Sequence, residues 1–247
     1  MWNRVRKLPL WVKIGGGLFG CLLLTGGGYI ALMLYSNTRS DSGLYIGRWF
    51  REPDSHDELI TASRVPCGDA PFILPSDGFI GLLYADPAGP YSVLNRHTGI
   101  DIFGDGEPGQ VPVYAAYDGY LTRLDTWLAT VIIQHDDPLE EGRTIWTYYT
   151  HMASRDGETS FVSDAFPAGT HGQWVEQGTM LGYQGEFSGT AAYAVGLHVH
   201  FSIVKSDENG SFMNESRLDN TLDPTPYLGL PLHIDKVDTR PIKCDED

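Results

Sequence analysis

Three short patterns in this 247-residue chain carry side chains able to do chemistry. The first is Leu-His-Val-His-Phe at 197–201. Side chains alternate between faces along a strand, so His198 and His200 share one face while Leu197, Val199 and Phe201 take the other. The apolar trio can enter a core. The two imidazoles then stand about 7 Å apart along the strand, where one can bind a metal and the other can reach a group held by that metal. The plain alternative is two polar residues on a solvated sheet face. The second pattern is Arg-His-Thr-Gly-Ile-Asp at 96–101. His97 and Asp101 are four apart, but Gly99 and the strand-like Ile-Asp-Ile-Phe argue against a helix. The pair would converge through a turn, and both residue types are good zinc ligands. The third is Tyr-Tyr-Thr-His-Met, in which His151 closes an aromatic-rich strand. Alone, its bland reading is a satisfied strand-end histidine.

The elements that must position these residues read as strands. From Pro71 to about Leu230, short apolar runs alternate with turn signals, and no long 3.6-residue period appears. The candidate strands are 78–84, 111–117, 120–127, 129–136, 144–151 and 197–204. Asp118-Gly119 between two of them is a two-residue hairpin signal. An all-β, antiparallel domain over 71–230 follows. Residues 36–70 are polar and read as a stalk, with a short ordered stretch near Cys67. Residues 231–247 read as a loop-like acidic tail ending Cys-Asp-Glu-Asp.

Taken together, the order His-x-x-x-Asp, Tyr-x-His, His-x-His resembles the LytM-type, lysostaphin-like zinc endopeptidases, the β-lytic metallopeptidase family. PFILPSDGFI, HTGIDIFGDGEPGQVPVYAAYDGYL, VIIQHDD, WTYYTHM and WVEQGTMLGYQGEFSGT before GLHVHFSI are similar to successive segments of that family. The resemblance covers about 71–230. It implies a LytM-like, duplicated-hybrid-motif fold, with one zinc ion bound by His97, Asp101 and His200. His151 and His198 would be the two catalytic histidines that do not bind metal. Three protein ligands leave a fourth zinc position for water, whose pKa zinc lowers to about 7. The chain has no His-Glu-x-x-His, so the glutamate base of that protease class is missing. A neutral histidine can take its place. His198 is assigned as base and His151 as the group that orients water or stabilises the oxyanion, with the two roles exchangeable. Tyr91, six residues before His97, matches a tyrosine that assists the oxyanion in some members; a packed loop aromatic is the alternative. The stretch from His151 to His198 is about ten residues longer than the family pattern, which bears on substrate preference. His135 is read as structural; His56, His171 and His233 are read as solvent-facing.

Charge and hydropathy place the domain. No charged residue lies between Lys13 and Arg39, and 14–35 is a 22-residue, mostly apolar stretch with seven glycines. That length spans a hydrocarbon core. Arg4, Arg6, Lys7 and Lys13 put residues 1–13 in the cytoplasm and the rest outside, by the positive-inside rule. A cleaved signal peptide is the main alternative, and a lipid anchor at Cys21 a weaker one. The chain's 17 basic residues less these four leave 13 against 32 acidic residues, a formal −19. A surface that acidic excludes nucleic acid as a partner. Cys67 and Cys244 flank the domain and would pair in an oxidising compartment; two free thiols are the alternative.

The reading is a single-pass membrane protein whose extracytoplasmic zinc metalloendopeptidase domain hydrolyses peptide bonds of peptidoglycan. Peptidoglycan as substrate is implied by the resemblance alone. The competing readings are a catalytically silent scaffold of the same fold that activates another wall hydrolase, and a related metallo-carboxypeptidase.

Overall fold

The computed structural model of the protein describes residues 27–61, 66–237 and 239–244. Residues 27–37 are helical. The expected span 14–35 lies mostly outside the described residues, as do residues 1–13. No described helix is long and apolar enough to cross a membrane.

Helix α1 (Ser42–Arg51) leads through a short 3-10 turn into a single helical turn, α2 (His56–Leu59). The strands follow: β1 (Ile60–Thr61), β2 (Gly78–Leu82), β3 (Ile100–Phe103), β4 (Pro112–Tyr114), β5 (Gly119–Thr122) and β6 (Val131–Asp136). Then come β7 (Thr144–Thr150), β8 (Gln173–Val175), β9 (Met180–Tyr183), β10 (Gly185–Phe187), β11 (Ala194–Lys205), β12 (Thr221–Leu222) and a last helical turn, α3 (Thr225–Leu228). The main sheet has the order β1-β2-β3-β11-β7-β6-β5-β8, with β10 and β12 also paired to β11. β4 and β9 form a separate pair. Every strand pairing is antiparallel, as the sequence led us to expect.

β11 is the organising strand, flanked by β3 and β7. Val199, Phe201 and Ile203 are fully buried against Ile100, Ile102 and Tyr149. Burying each such side chain contributes about 1.5–3 kcal/mol. That apolar alternation fixes the register, because a one-residue slip would turn the set outward. The same register places Asp101 and Thr150 opposite His200 on its two neighbours, on the other face of the sheet.

Three expectations are corrected. Asp118-Gly119 does not close a hairpin between neighbouring strands, because β4 pairs with β9 instead of β5. The Asp118 carbonyl accepts from His135 Nδ1 and its carboxylate from the Gln177 amide. Gly119 is needed there for close approach, since a Cβ would strike the Gln134 carbonyl. The polar stretch 36–70 is not a bare stalk: α1 and α2 pack on the sheet through Trp49 and Leu59, which are buried with Phe79 and Phe103. Last, His56 and His233 do not simply face solvent. His56 stacks on Trp49 at 3.6 Å between centroids, and His233 bridges Tyr84. Cys67 and Cys244 are joined in a disulfide with a Cα–Cα distance of 5.6 Å, which fastens the C-terminal segment beside the start of the domain.

Candidate metal centre

His97, Asp101 and His200, the ligand set implied by the resemblance, come together in the structure. Each offers a ligand atom, and these atoms lie within 4.8 Å of one another. His97 Nε2 is 3.1 Å from Asp101 Oδ1 and 2.9 Å from His200 Nδ1; His200 Nδ1 is 2.9 Å from the same Asp101 oxygen. All three residues are buried. His97 is not on a helix. It sits in the loop ahead of β3, where its amide donates to Asp86 and its carbonyl accepts from Ala85. Gly99 makes the turn between the two ligands possible, because a Cβ there would collide with the Phe201 carbonyl.

Two further histidines close on this cluster. His198 Nε2 lies 3.8 Å from Asp101 Oδ1. The His151 ring is 4.4 Å from the His198 ring and 6.3 Å from that of His200, centroid to centroid. His151 leaves β7 with φ +75°, a costly conformation for a residue with a Cβ. The only other described residue with a Cβ and positive φ is Ala85, bonded to His97. Backbone strain therefore gathers around this site.

In each of the four imidazoles, one ring nitrogen faces an acceptor outside the cluster. His97 Nδ1 meets the Leu83 carbonyl at 2.9 Å, His198 Nδ1 the Gly196 carbonyl at 2.6 Å and His151 Nδ1 the Phe187 carbonyl at 2.6 Å. His200 Nε2 meets Glu215 Oε1 at 2.8 Å. A carbonyl or carboxylate can only accept, so these bonds assign the outer nitrogen as an N–H; His151 and His198 keep a lone pair on the inner nitrogen, whereas His97 Nε2 and His200 Nδ1 also face Asp101 Oδ1 and each other. A metal held by His97, Asp101 and His200 would displace the protons shared among these inner atoms. Fixing ligand orientation through the second nitrogen is a general feature of metal sites. Two histidines, a carboxylate and three-ligand closure fit zinc by donor type.

Burial would lower His200, but the charges of Glu215 and Asp101 and its bonds to both outweigh it and raise the imidazole to about 10. Burial alone would raise the Asp101 carboxyl, but the charges of His97 and His198 and bonds from His200 and His97 outweigh it and hold the group well below its usual range. Burial, then the His198 charge, pushes His151 down to about 3. Burial likewise lowers His198 against the pull of Asp101. Both stay neutral near pH 7, as acceptors of a proton must.

Tyr91 stands beside this cluster, its ring 4.7 Å from that of His97. Burial, then Asp101 and Glu215, raises its phenol, which keeps its proton. A cleft of about 250 Å³ is lined by Tyr91, Tyr148, His151, His200 and Glu215. Glu215 and Tyr148 escape the sequence reading. Glu215 lies in a polar loop with no motif around it, and only the fold brings it to His200. Tyr148 is next to the quoted Tyr-x-His but reads as strand core. His135 is buried and structural: Nδ1 bonds the Asp118 carbonyl and Nε2 the Thr147 hydroxyl. His171 is exposed.

The family model for peptidase family M23 matches residues 95–215. Among solved structures, the chain is similar to a candidate glycyl-glycine endopeptidase lytM from Ruminococcus gnavus ATCC 29149, with 22% identity and a TM-score of 0.35, over 53% of this chain and 45% of that one. It is also similar to a mutant of the catalytic domain of the prophage-encoded M23 protein EnpA from Enterococcus faecalis, with 21% identity and a TM-score of 0.31, over 60% of this chain and 90% of that one. The match thus spans less than half the length of the first of these chains. No curated protein matches the sequence. His97, Asp101, His151, His198, His200 and Glu215 all fall within 95–215, and this stretch of the chain is a peptidase family M23 domain.

Proposed function

We propose that this protein is a membrane-anchored zinc endopeptidase that hydrolyses peptide bonds in peptidoglycan. The observation that carries the chemistry is the set of four imidazoles around Asp101, each with its outer nitrogen held by an acceptor outside the cluster. His97, Asp101 and His200 would hold one zinc ion. When bound there, zinc supplies a Lewis acid that polarises a carbonyl and lowers the pKa of water toward neutrality.

The remaining chemistry belongs to side chains. His198 is the general base in this reading, with Nε2 3.8 Å from Asp101 Oδ1 at the edge of the ligand cluster. It takes a proton from the attacking water as the water oxygen bonds to the carbonyl carbon, and returns it to the leaving amine when the C–N bond breaks. His151 also presents a lone pair, so it orients the water by accepting from it. The oxyanion then needs a different donor. Tyr91 keeps its proton and faces the same cleft, which suits it to that role. The family supports peptidase chemistry, and its resemblance to wall-lytic enzymes supports peptidoglycan as substrate. The apolar stretch 14–35 behind a basic N-terminus supports the anchor and an extracytoplasmic domain.

The test compares wild type with His200→Ala and His198→Ala on insoluble peptidoglycan. Wild type releases peptide fragments. His200→Ala loses zinc and activity together, and His198→Ala loses activity while keeping zinc. Full activity in both variants would refute the assignment. No release by zinc-loaded wild type would favour the silent-scaffold reading.

A further inference from the structure

Phe50 lies outside the M23 stretch, on the last turn of α1, yet its ring reaches the back of the proposed base. It packs edge-to-face on Phe103, with centroids 5.7 Å apart and planes at 88°. Phe103 in turn stacks on the His198 ring at 4.9 Å and 24°. The tip of the Phe50 ring also occupies the space where a Cβ of residue 196 would stand, so only Gly196 admits it. The Gly196 carbonyl is the acceptor that holds His198 Nδ1. One side chain thus braces both supports of His198: the ring beneath it and the peptide that fixes its tautomer.

The helix carrying Phe50 is itself well held. Trp49 is buried against Phe79, at 5.4 Å between centroids, and stacks on His56. His56 bonds the Trp49 carbonyl through Nε2 and Asp105 through Nδ1. Ile46 contacts the same strand, where a Cβ on Gly81 would meet both it and Phe103. Trp49 accounts for the attachment of α1 to the sheet. Phe50, 54% exposed, contributes little to that burial. Its placement is explained by what it touches.

We propose that Phe50 is a positioning residue for His198, so that the segment before the M23 domain is a working part of the active site. The proposal rests on the reading of His198 as the base. A base must be held in a narrow range of positions, and a displacement of about 1 Å can cost a factor of roughly 100 in rate. Removing the brace behind both supports, while leaving the supports themselves, should cost on the order of tenfold.

The experiment uses the zinc-loaded full chain with isotope-labelled histidine. Its readouts are the His198 imidazole resonances, zinc content, and kcat and KM for peptide release. Phe50→Ala should shift the His198 resonances and lower kcat about tenfold, with KM and zinc content unchanged. Phe50→Leu, which keeps apolar bulk on Gly196, should recover most of the loss. Leu44→Ala, on the exposed face of the same helix, should change nothing. Gly196→Ala should displace the ring and mimic Phe50→Ala. The double variant should be no worse than Phe50→Ala alone, because the two act on one contact. Unchanged His198 resonances in Phe50→Ala, or an unchanged kcat in an active enzyme, would overturn the proposal. If wild type releases no peptide, the peptidase reading falls and the resonances alone decide the positioning role.

Discussion

His200 and Glu215 meet through Nε2 and Oε1 at 2.8 Å, and that bond decides which nitrogen of His200 faces Asp101. Glu215 is itself steadied by the Thr98 hydroxyl, which donates to the same oxygen at 2.6 Å. Loss of such a partner typically costs 10- to 100-fold in metal affinity. Glu215→Ala is therefore expected to weaken zinc binding by about that factor while the fold is kept. Glu215→Gln, which keeps an acceptor, should fall between. Competition against a chromophoric chelator measures this, and equal affinity in all three proteins would contradict the role.

Gly99 offers a sharper test of the turn that joins two ligands. A Cβ at this position meets the Phe201 carbonyl, which is sheet backbone and has nowhere to move. Gly99→Ala should lower stability by about 1–3 kcal/mol and reduce zinc content well below one ion per chain. Urea unfolding with elemental analysis reads both. A variant with full zinc and unchanged stability would show that the loop has slack.

Those two residues mark how far the sequence could be read. The strand alternation around His198 and His200 is written in the residues themselves, so the core face and the open face could be assigned before the fold. His97 and Asp101 were legible because Gly99 signals a turn. Glu215 was not, since a lone carboxylate in a polar loop gains meaning only when the return of β11 through β12 lays it on His200. Helix α1 left a signal that composition hid: Tyr45, Ile46, Trp49 and Phe50 recur at helical spacing within a polar stretch. The pairing of β4 with β9 in place of β5 is set by contacts distant in sequence, which local turn signals do not carry.

The buried His135 gives stability a pH dependence. Burial, against weaker pulls from the Asp118 carbonyl and nearby carboxylates, lowers its pKa to about 4 from the ordinary 6.5. Between those values the unfolded chain binds a proton that the folded chain does not. Its contribution is therefore complete above pH 6.5 and lost as pH falls from 6.5 toward 4, a change of up to about 3 kcal/mol. Urea unfolding across that window, compared with His135→Gln, isolates the effect. A variant with the same pH slope as wild type would remove His135 from the account.

The disulfide closes a long loop. Cys67 and Cys244 are 177 residues apart, so the bond restricts most of the unfolded domain. Loop-closure entropy sets a ceiling of about 5 kcal/mol on its stabilisation. Replacing both cysteines by serine should lower the unfolding free energy by an amount below that ceiling. Zinc content at room temperature should be unaffected, because neither cysteine belongs to the His97, Asp101 and His200 cluster. Loss of zinc in a still-folded variant would contradict this separation of roles.

The most direct test of the central claim is release of wall fragments by the purified protein, with and without chelator, followed by mass spectrometry. The account predicts peptide fragments with intact glycan, no release in chelator, and recovery when zinc is returned. Release that persists in chelator, or cleavage within the glycan, would contradict it.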